Sequence, residues 1–199
     1  MQPPWFIIGR TAKRSRRRRR VSSTLGVRNV TYPYRSIAMQ ADFIVRVAER
    51  SDVETLTTLI VNFRDFLGRD GPTESDIRAS MVAQLRNTEV QAFIAFRGDI
   101  PIGYALVLFR YSHWANGLEA TVNDLFVREN ERGTGVGRQL IVQALTASTS
   151  RGCRLVTLST NEMNVASNRI YESLGFSCYS TLWRGKQVYY RLPLPQTDA

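Results

Sequence analysis

The sequence predicts an α/β fold, a central mixed β-sheet flanked by helices, on three grounds. Apolar periodicity changes along the chain in the order β-α-α-β-β-β-α-β-α-β-β, which places helices on the faces of one sheet. A hydrophobic content of 43%, with 10% aromatic residues, in 199 residues is enough to build a core. The formal charge of +10 sits entirely in residues 1–38, which hold Arg10, Lys13, Arg14, Arg16–Arg20, Arg28 and Arg35 and no acid. The remainder carries 17 basic and 17 acidic side chains and is neutral.

Residues 1–40 read as a disordered basic arm, because like charges at that density repel and no apolar periodicity accompanies them. Residues 41–194 form the single predicted domain and 195–199 a flexible tail. A strand at Phe43–Val47 opens the domain, and Ser51-Asp52-Val53-Glu54 has the S-x-x-E form of a capping box. Val53, Leu56, Ile60, Phe63 and Leu67 then recur at helical spacing, flanked by Leu59 and Phe66. Turn formers from Gly68 to Pro72 lead to a second helix, opened by Thr73 or Ser75 and carrying Ile77, Met81 and Leu85.

Three strands follow. Val90–Phe96 turns at Gly98-Asp99 into Ile102–Tyr111, and after Trp114–Gly117 comes Glu119–Val127. A glycine-rich loop at 132–137 opens a helix with Leu140, Ile141, Ala144 and Leu145. Leu155–Thr160 is a buried strand, and Val165–Leu174 a helix stopped by Gly175. Phe176–Leu182 and Val188–Leu192 are expected to close the chain as a hairpin around Arg184-Gly185-Lys186.

Several function classes are excluded at this level. No apolar run is long enough for a spanning helix, and Pro4–Ile8 is too short for a signal-peptide core. Cys153 and Cys178 lack metal-ligand spacing and read as small buried thiols of a reducing, cytoplasmic compartment. His113 is the single histidine, which argues against a histidine metal site and a Ser-His-Asp triad. No metal is expected.

Two segments carry chemistry. Arg132-Gly133-Thr134-Gly135-Val136-Gly137-Arg138 joins a strand to a helix, where free backbone N–H groups and the helix dipole suit phosphate oxygens. No Gly-Lys-Ser/Thr follows, so it is no P-loop, and the dinucleotide spacing G-x-G-x-x-G is absent. In the second segment, Asn164 stands at a helix start, able to cap it or to reach a ligand. Tyr171 lies two turns later on the same face.

Together these segments resemble the GNAT superfamily of N-acetyltransferases over about residues 43–192. The acyl-CoA loop Arg/Gln-x-x-Gly-x-Gly/Ala matches Arg132 through Gly137, and N-x-x-A/S-x-x-x-Y-x-x-x-G-F matches Asn164, Ser167, Tyr171 and Gly175-Phe176. The resemblance implies a splayed mixed sheet with acetyl-CoA, a co-substrate, wedged between Glu119–Val127 and Leu155–Thr160. It implies that backbone around Leu125, Phe126 and Val127 holds pantetheine and carbonyl, that Arg132–Arg138, Asn164 and Ser167 contribute to cofactor binding, and that Tyr171 protonates the departing thiolate. Tyr104–Phe109, Tyr111–Trp114 and Asp124–Val127 look most like diamine (spermidine/spermine-type) acetyltransferases. Those enzymes carry Glu before the Asp matching Asp124, where this chain has Asn123. Glu119, two pleats from Asn123 on the same expected strand face, is the candidate base. Asp124 is expected on the opposite face in a structural role.

The expected activity is acetyl transfer from acetyl-CoA to a primary amine of a small molecule by direct attack on the thioester. The alternatives are a protein amine or an aminoglycoside as acceptor, or a non-catalytic acyl-CoA module whose arm binds nucleic acid. No membrane partner is expected, and a homodimer is compatible with the sequence. The arm also fits a transit peptide, a nuclear-import patch or an upstream extension. The last is preferred, with Met39 as the true start, because Arg outnumbers Lys 25 to 2 as in GC-rich coding sequence.

Overall fold

A computed structural model describes residues 42–180, 184–192 and 194. Residues 1–41, which include the basic arm, Thr181–Trp183, Pro193 and residues 195–199 lie outside the described residues. The elements are β1 (Ile44–Val47), α1 (Val53–Phe66), α2 (Glu74–Gln84), β2 (Val90–Arg97), β3 (Ile100–Ser112), β4 (Gly117–Val127), α3 (Val136–Ser150), β5 (Leu155–Leu158), α4 (Val165–Ser173), β6 (Tyr179–Ser180) and β7 (Gly185–Lys186). The main sheet has the order β1-β2-β3-β4-β5, antiparallel except for the parallel β4–β5 pair. The mixed α/β sheet predicted from the sequence is therefore present.

Strand alternation sends successive side chains to opposite faces. Ala92, Ile94, Tyr104, Leu106 and Phe126 pack with Leu56 and Leu59 of α1 and Ile77 and Met81 of α2. The other face is covered by α3, whose Leu140, Ile141 and Ala144 are fully buried and which packs across β2, β3 and β4. Of the residues whose spacing announced these stripes, Leu56, Leu59, Ile77, Met81, Leu140, Ile141 and Ala144 are buried, Val53, Ile60, Phe63, Leu85 and Leu145 are half-buried, and Phe66 and Leu67 stay exposed.

The entry to α1 differs from expectation. Ser51 is exposed, and the chain makes a 3₁₀ turn at Arg50–Asp52 in place of a Ser51–Glu54 box. The buried Asp52 carboxylate accepts from the Glu49 N–H at 2.7 Å and from both terminal nitrogens of Arg46, each at 2.7 Å. A charged acceptor met by three donors outcompetes a solvated serine hydroxyl. At α2 the expected cap holds: Thr73 accepts from the Asp76 N–H, and Asp76 accepts from the Thr73 N–H.

The C-terminal hairpin is shorter than expected. Tyr179 pairs with Lys186 and Ser180 with Gly185, so Gly185-Lys186 lies in a strand and not in the turn. Val188–Leu192 is not a strand, and its residues are exposed. With no described strand beside it, alternation alone gains that segment no ladder hydrogen bonds. Cys178 is exposed, not buried as expected, while Cys153 is half-buried; both are free thiols.

Two features of β4 shape everything that follows. Leu106 pairs with Asp124 while the next residue, Val107, pairs with Val122, so Asn123 is an extra residue, a β-bulge. The parallel ladder to β5 runs only from Glu119–Leu155 to Val122–Leu158. Beyond it β4 continues through Val127 while β5 has ended. The sheet opens there.

Candidate active site

The parting of β4 from β5 lies at the carboxyl ends of two parallel strands, the place where open α/β sheets hold ligands. Both segments singled out in the sequence arrive at that end. β4 leads through a 3₁₀ turn at Glu129–Glu131 into the glycine loop and α3, and β5 leads through residues 159–164 into α4. They meet in space: a Cβ built on Gly137 would lie 3.5 Å from Ile170 Cδ1 and 3.6 Å from Val127 Cγ2. The end of β4, the first turn of α3 and the middle of α4, one residue before Tyr171, thus converge.

The loop is shaped for an anion. Gly135 caps α3 with φ 92° and Gly133 has φ 79°, values that L side chains rarely adopt. A Cβ at either would meet nothing within 4 Å, so the loop's outer side is open to a ligand. The first turn of α3 contains no acidic residue, and Glu131, just before the loop, is paired with Arg97 at 2.8 Å. Exposed Arg138 adds positive charge. These residues fit the pyrophosphate of a coenzyme A thioester.

Other predicted binding residues hold the loop itself. Arg132 donates from Nε to the Val127 carbonyl at 3.1 Å, and its guanidinium lies over the Phe66 ring at 4.2 Å. Thr134 Oγ1 donates to the Glu131 carbonyl at 2.7 Å, and Val136 is buried at the start of α3. Leu125 and Val127 are half-buried on the opened length of β4, whereas Phe126 turns to the α1 side and stacks on Phe63 at 5.3 Å. Asn164 caps α4, its side chain accepting from the Ser167 N–H at 3.4 Å. Asn168, which sequence reading missed, donates to the carbonyls of Asn161 (3.0 Å) and Glu162 (3.2 Å) and ties that loop to α4.

Tyr171 is buried on α4 and meets Phe176 edge-on at 6.0 Å. Burial pushes its phenol up, with the Ser167 hydroxyl partly opposing, so it remains a protonated donor at neutral pH.

The bulge overturns the expected arrangement of carboxylates. An extra residue at Asn123 reverses the alternation, so Glu119 and Asp124 share the face toward α1 and α2. Glu119 lies in the closed part of the sheet, paired with Arg110 at 3.0 Å. Burial pushes its carboxyl up, but Arg110, Ser112 and Thr157 outweigh that and hold it below the ordinary range. Asp124 lies at the opening. Burial pushes its carboxyl up, with the Asn123 side chain partly opposing. It lines both cavities found between α1, α2 and the sheet, of about 280 and about 310 Å³. The readable signal was an aspartate inside an apolar strand; the bulge that aims it was not readable. His113 is exposed on the β3–β4 turn beside Trp114, remote in sequence from both segments.

Comparison with known proteins agrees with this geometry. The model of the acetyltransferase (GNAT) family matches residues 58–176. A thialysine N-epsilon-acetyltransferase of Bos taurus is 25% identical over 129 residues, 65% of this chain and 73% of its own length. An aminoglycoside N(6')-acetyltransferase type 1 of Salmonella typhimurium is 29% identical over 96 residues, 46% of this chain and 66% of that one. Among solved structures, an acetyltransferase from Arthrobacter sp. FB24 superposes with TM-score 0.69 at 24% identity, covering 76% of this chain and 96% of that one. An aminoglycoside N-acetyltransferase solved with CoA gives 0.62 at 22% identity, covering 76% and 95%. With more than half its length matched by the family model, on a sheet that opens beside a glycine loop, the chain belongs to the GNAT family of acetyltransferases.

Proposed function

We propose that the chain transfers the acetyl group of acetyl-CoA to a primary amine of a small molecule, with Asp124 as the base in place of Glu119. Acetyl-CoA supplies an acyl carbon activated by a thiolate leaving group. The amine nitrogen forms a bond to that carbon, the C–S bond breaks, and the products are an N-acetyl amide and the free thiol of CoA.

The chain's residues address the proton balance. A primary amine is mostly ammonium at neutral pH, and freeing its lone pair costs about 4 kcal/mol. A carboxyl raised by burial is a better acceptor for that proton than one held low by an arginine. Tyr171, buried and protonated, returns a proton to the departing sulfur. The glycine loop and α3 N-terminus hold the pyrophosphate, and the opened edge of β4 from Asn123 to Val127 offers backbone groups to the pantetheine.

The observation that carries the reading is the half-buried Asp124 at the bulge where β4 parts from β5. The two cavities, of about 280 and about 310 Å³, adjoin at Asp124 and give an amine access to that carboxyl. Similarity to thialysine and aminoglycoside acetyltransferases supports an amine acceptor. Thiol release from acetyl-CoA across an amine panel tests the reading; binding without release for every amine would leave the non-catalytic alternative. Tyr171→Phe is expected to lower turnover about tenfold to a hundredfold at saturating acetyl-CoA. Full turnover in that variant would remove Tyr171 as the acid.

A further inference from the structure

The two cavities share Asp124, Ile60, Pro72 and Ile77, but the polar groups that distinguish them differ in kind. The first adds Asp76, Ser80, Gln84 and Asn123 and has no basic side chain in its lining. The Gln84 Oε1 there is buried without a donor. The second adds Arg64, Arg69 and Tyr104. Arg64 is partly engaged, by Asp65 at 2.6 Å and the Pro72 carbonyl at 2.9 Å. Arg69 is exposed, and its guanidinium has no ion-pair partner among the described residues.

Tyr104 is the strongest sign of a missing partner. It is 1% exposed, and its hydroxyl has no hydrogen-bond partner among the described residues. Burial, with the Asp124 charge nearby, pushes its phenol so far up that it stays a donor at any physiological pH. A buried donor without an acceptor is expensive and rare in native folds. An anionic ligand group on the Arg69 side supplies the acceptor and neutralises a free guanidinium together.

We infer that the acceptor is an amine that also carries a carboxylate, an amino-acid-like molecule lying across both cavities. Its reacting nitrogen lies on the Asp124 and Asn123 side, its carboxylate toward Arg69 and Tyr104. The inference rests on the acceptor site proposed above and narrows its substrate class: a bare polycation leaves Arg69 and the Tyr104 hydroxyl unused and meets Arg64 and Arg69 with like charge.

The test uses pairs that differ only by a carboxylate, ornithine against 1,4-diaminobutane and lysine against 1,5-diaminopentane. Thiol release is followed with the full chain and acetyl-CoA, and binding is measured in parallel by calorimetry with CoA present. In at least one pair the carboxylated member is expected to show tenfold or greater advantage in kcat/KM and in affinity. Arg69→Gln should cut that advantage about tenfold, by raising KM for the carboxylated member while KM for the decarboxylated one holds or falls. Tyr104→Phe should cut it at least threefold. Equal or better binding of the decarboxylated members, or an advantage indifferent to Arg69→Gln, overturns the inference. Arg69-dependent binding of the carboxylated members with no thiol release from any amine upholds the ligand class and overturns acetyl transfer instead.

Discussion

Burial raises the Asp124 carboxyl above the ordinary aspartate range in the folded chain. A group raised on folding contributes stability that is complete below its unfolded value and lost as pH climbs through the folded one. At neutral pH Asp124 is thus a load on the fold, as a buried base would be. Asp124→Asn is expected to raise Tm at pH 7 while lowering kcat/KM for the amine about a hundredfold or more, read by melting and thiol release on the same sample. Tyr104→Phe should behave similarly in the unliganded chain, because it deletes a buried hydroxyl with no partner: Tm is expected to hold or rise. A fall of several degrees in either variant would show that the group has a partner in the fold. Tyr171 and Asn164 were legible as sequence because each sits at a fixed helical offset. The shared face of Glu119 and Asp124 was not, since it depends on which way a strand residue points, and one inserted residue at Asn123 reverses that.

Among the elements, α3 shows how a turn and a binding surface share one conformation. Gly135 holds φ 92° so that the loop can turn into the helix with its N–H groups exposed. Gly135→Ala is expected to cost about 1–2 kcal/mol through backbone strain alone, since a Cβ there meets no neighbour. It should also raise KM for acetyl-CoA several-fold and leave KM for the amine nearly unchanged, a split that steady-state kinetics resolves. Helices α1 and α3 were readable because long amphipathic stripes leave little choice of face, and α2 and α4 because Thr73 and Asn164 cap their starts. The α1 entry was misread because Ser51 and Asp52 are both good cap residues, and the choice between them fell to Arg46, a residue of β1. The last hairpin was misread because residues 188–192 alternate like a strand but no described strand lies beside them.

For the molecule as a whole, acid sensitivity is tied to that same Asp52. Hydrogen bonds from Arg46 hold its carboxyl below the ordinary range despite burial, with the Glu49 N–H adding to the effect. A carboxyl lowered on folding contributes stability that is present above its unfolded value and lost as pH falls through the folded one. Asp52→Asn is expected to cost about 2 kcal/mol at pH 7, discounted because Arg46 is 42% exposed, and progressively less toward pH 3. Denaturant melts at both pH values check the slope; equal costs at the two would detach Asp52 from acid unfolding. The predicted confinement of excess charge to residues 1–38 is a property of the sequence. In the proposed reading, coenzyme binding by the neutral remainder therefore rests on local groups, the N–H groups near Gly135 and the exposed Arg138.

The early end of β5 has one more consequence. From Asn123 to Val127 the outer edge of β4 faces no strand among the described residues, so its amides are expected to exchange with solvent through small local openings, not through global unfolding. In the proposed reading, a pantetheine arm laid along that edge would act as a sixth strand made of substrate. Amide exchange there should slow when CoA is added, while the Glu119–Val122 ladder changes little; slowing of both alike would mean that the coenzyme does not complete the sheet at this edge.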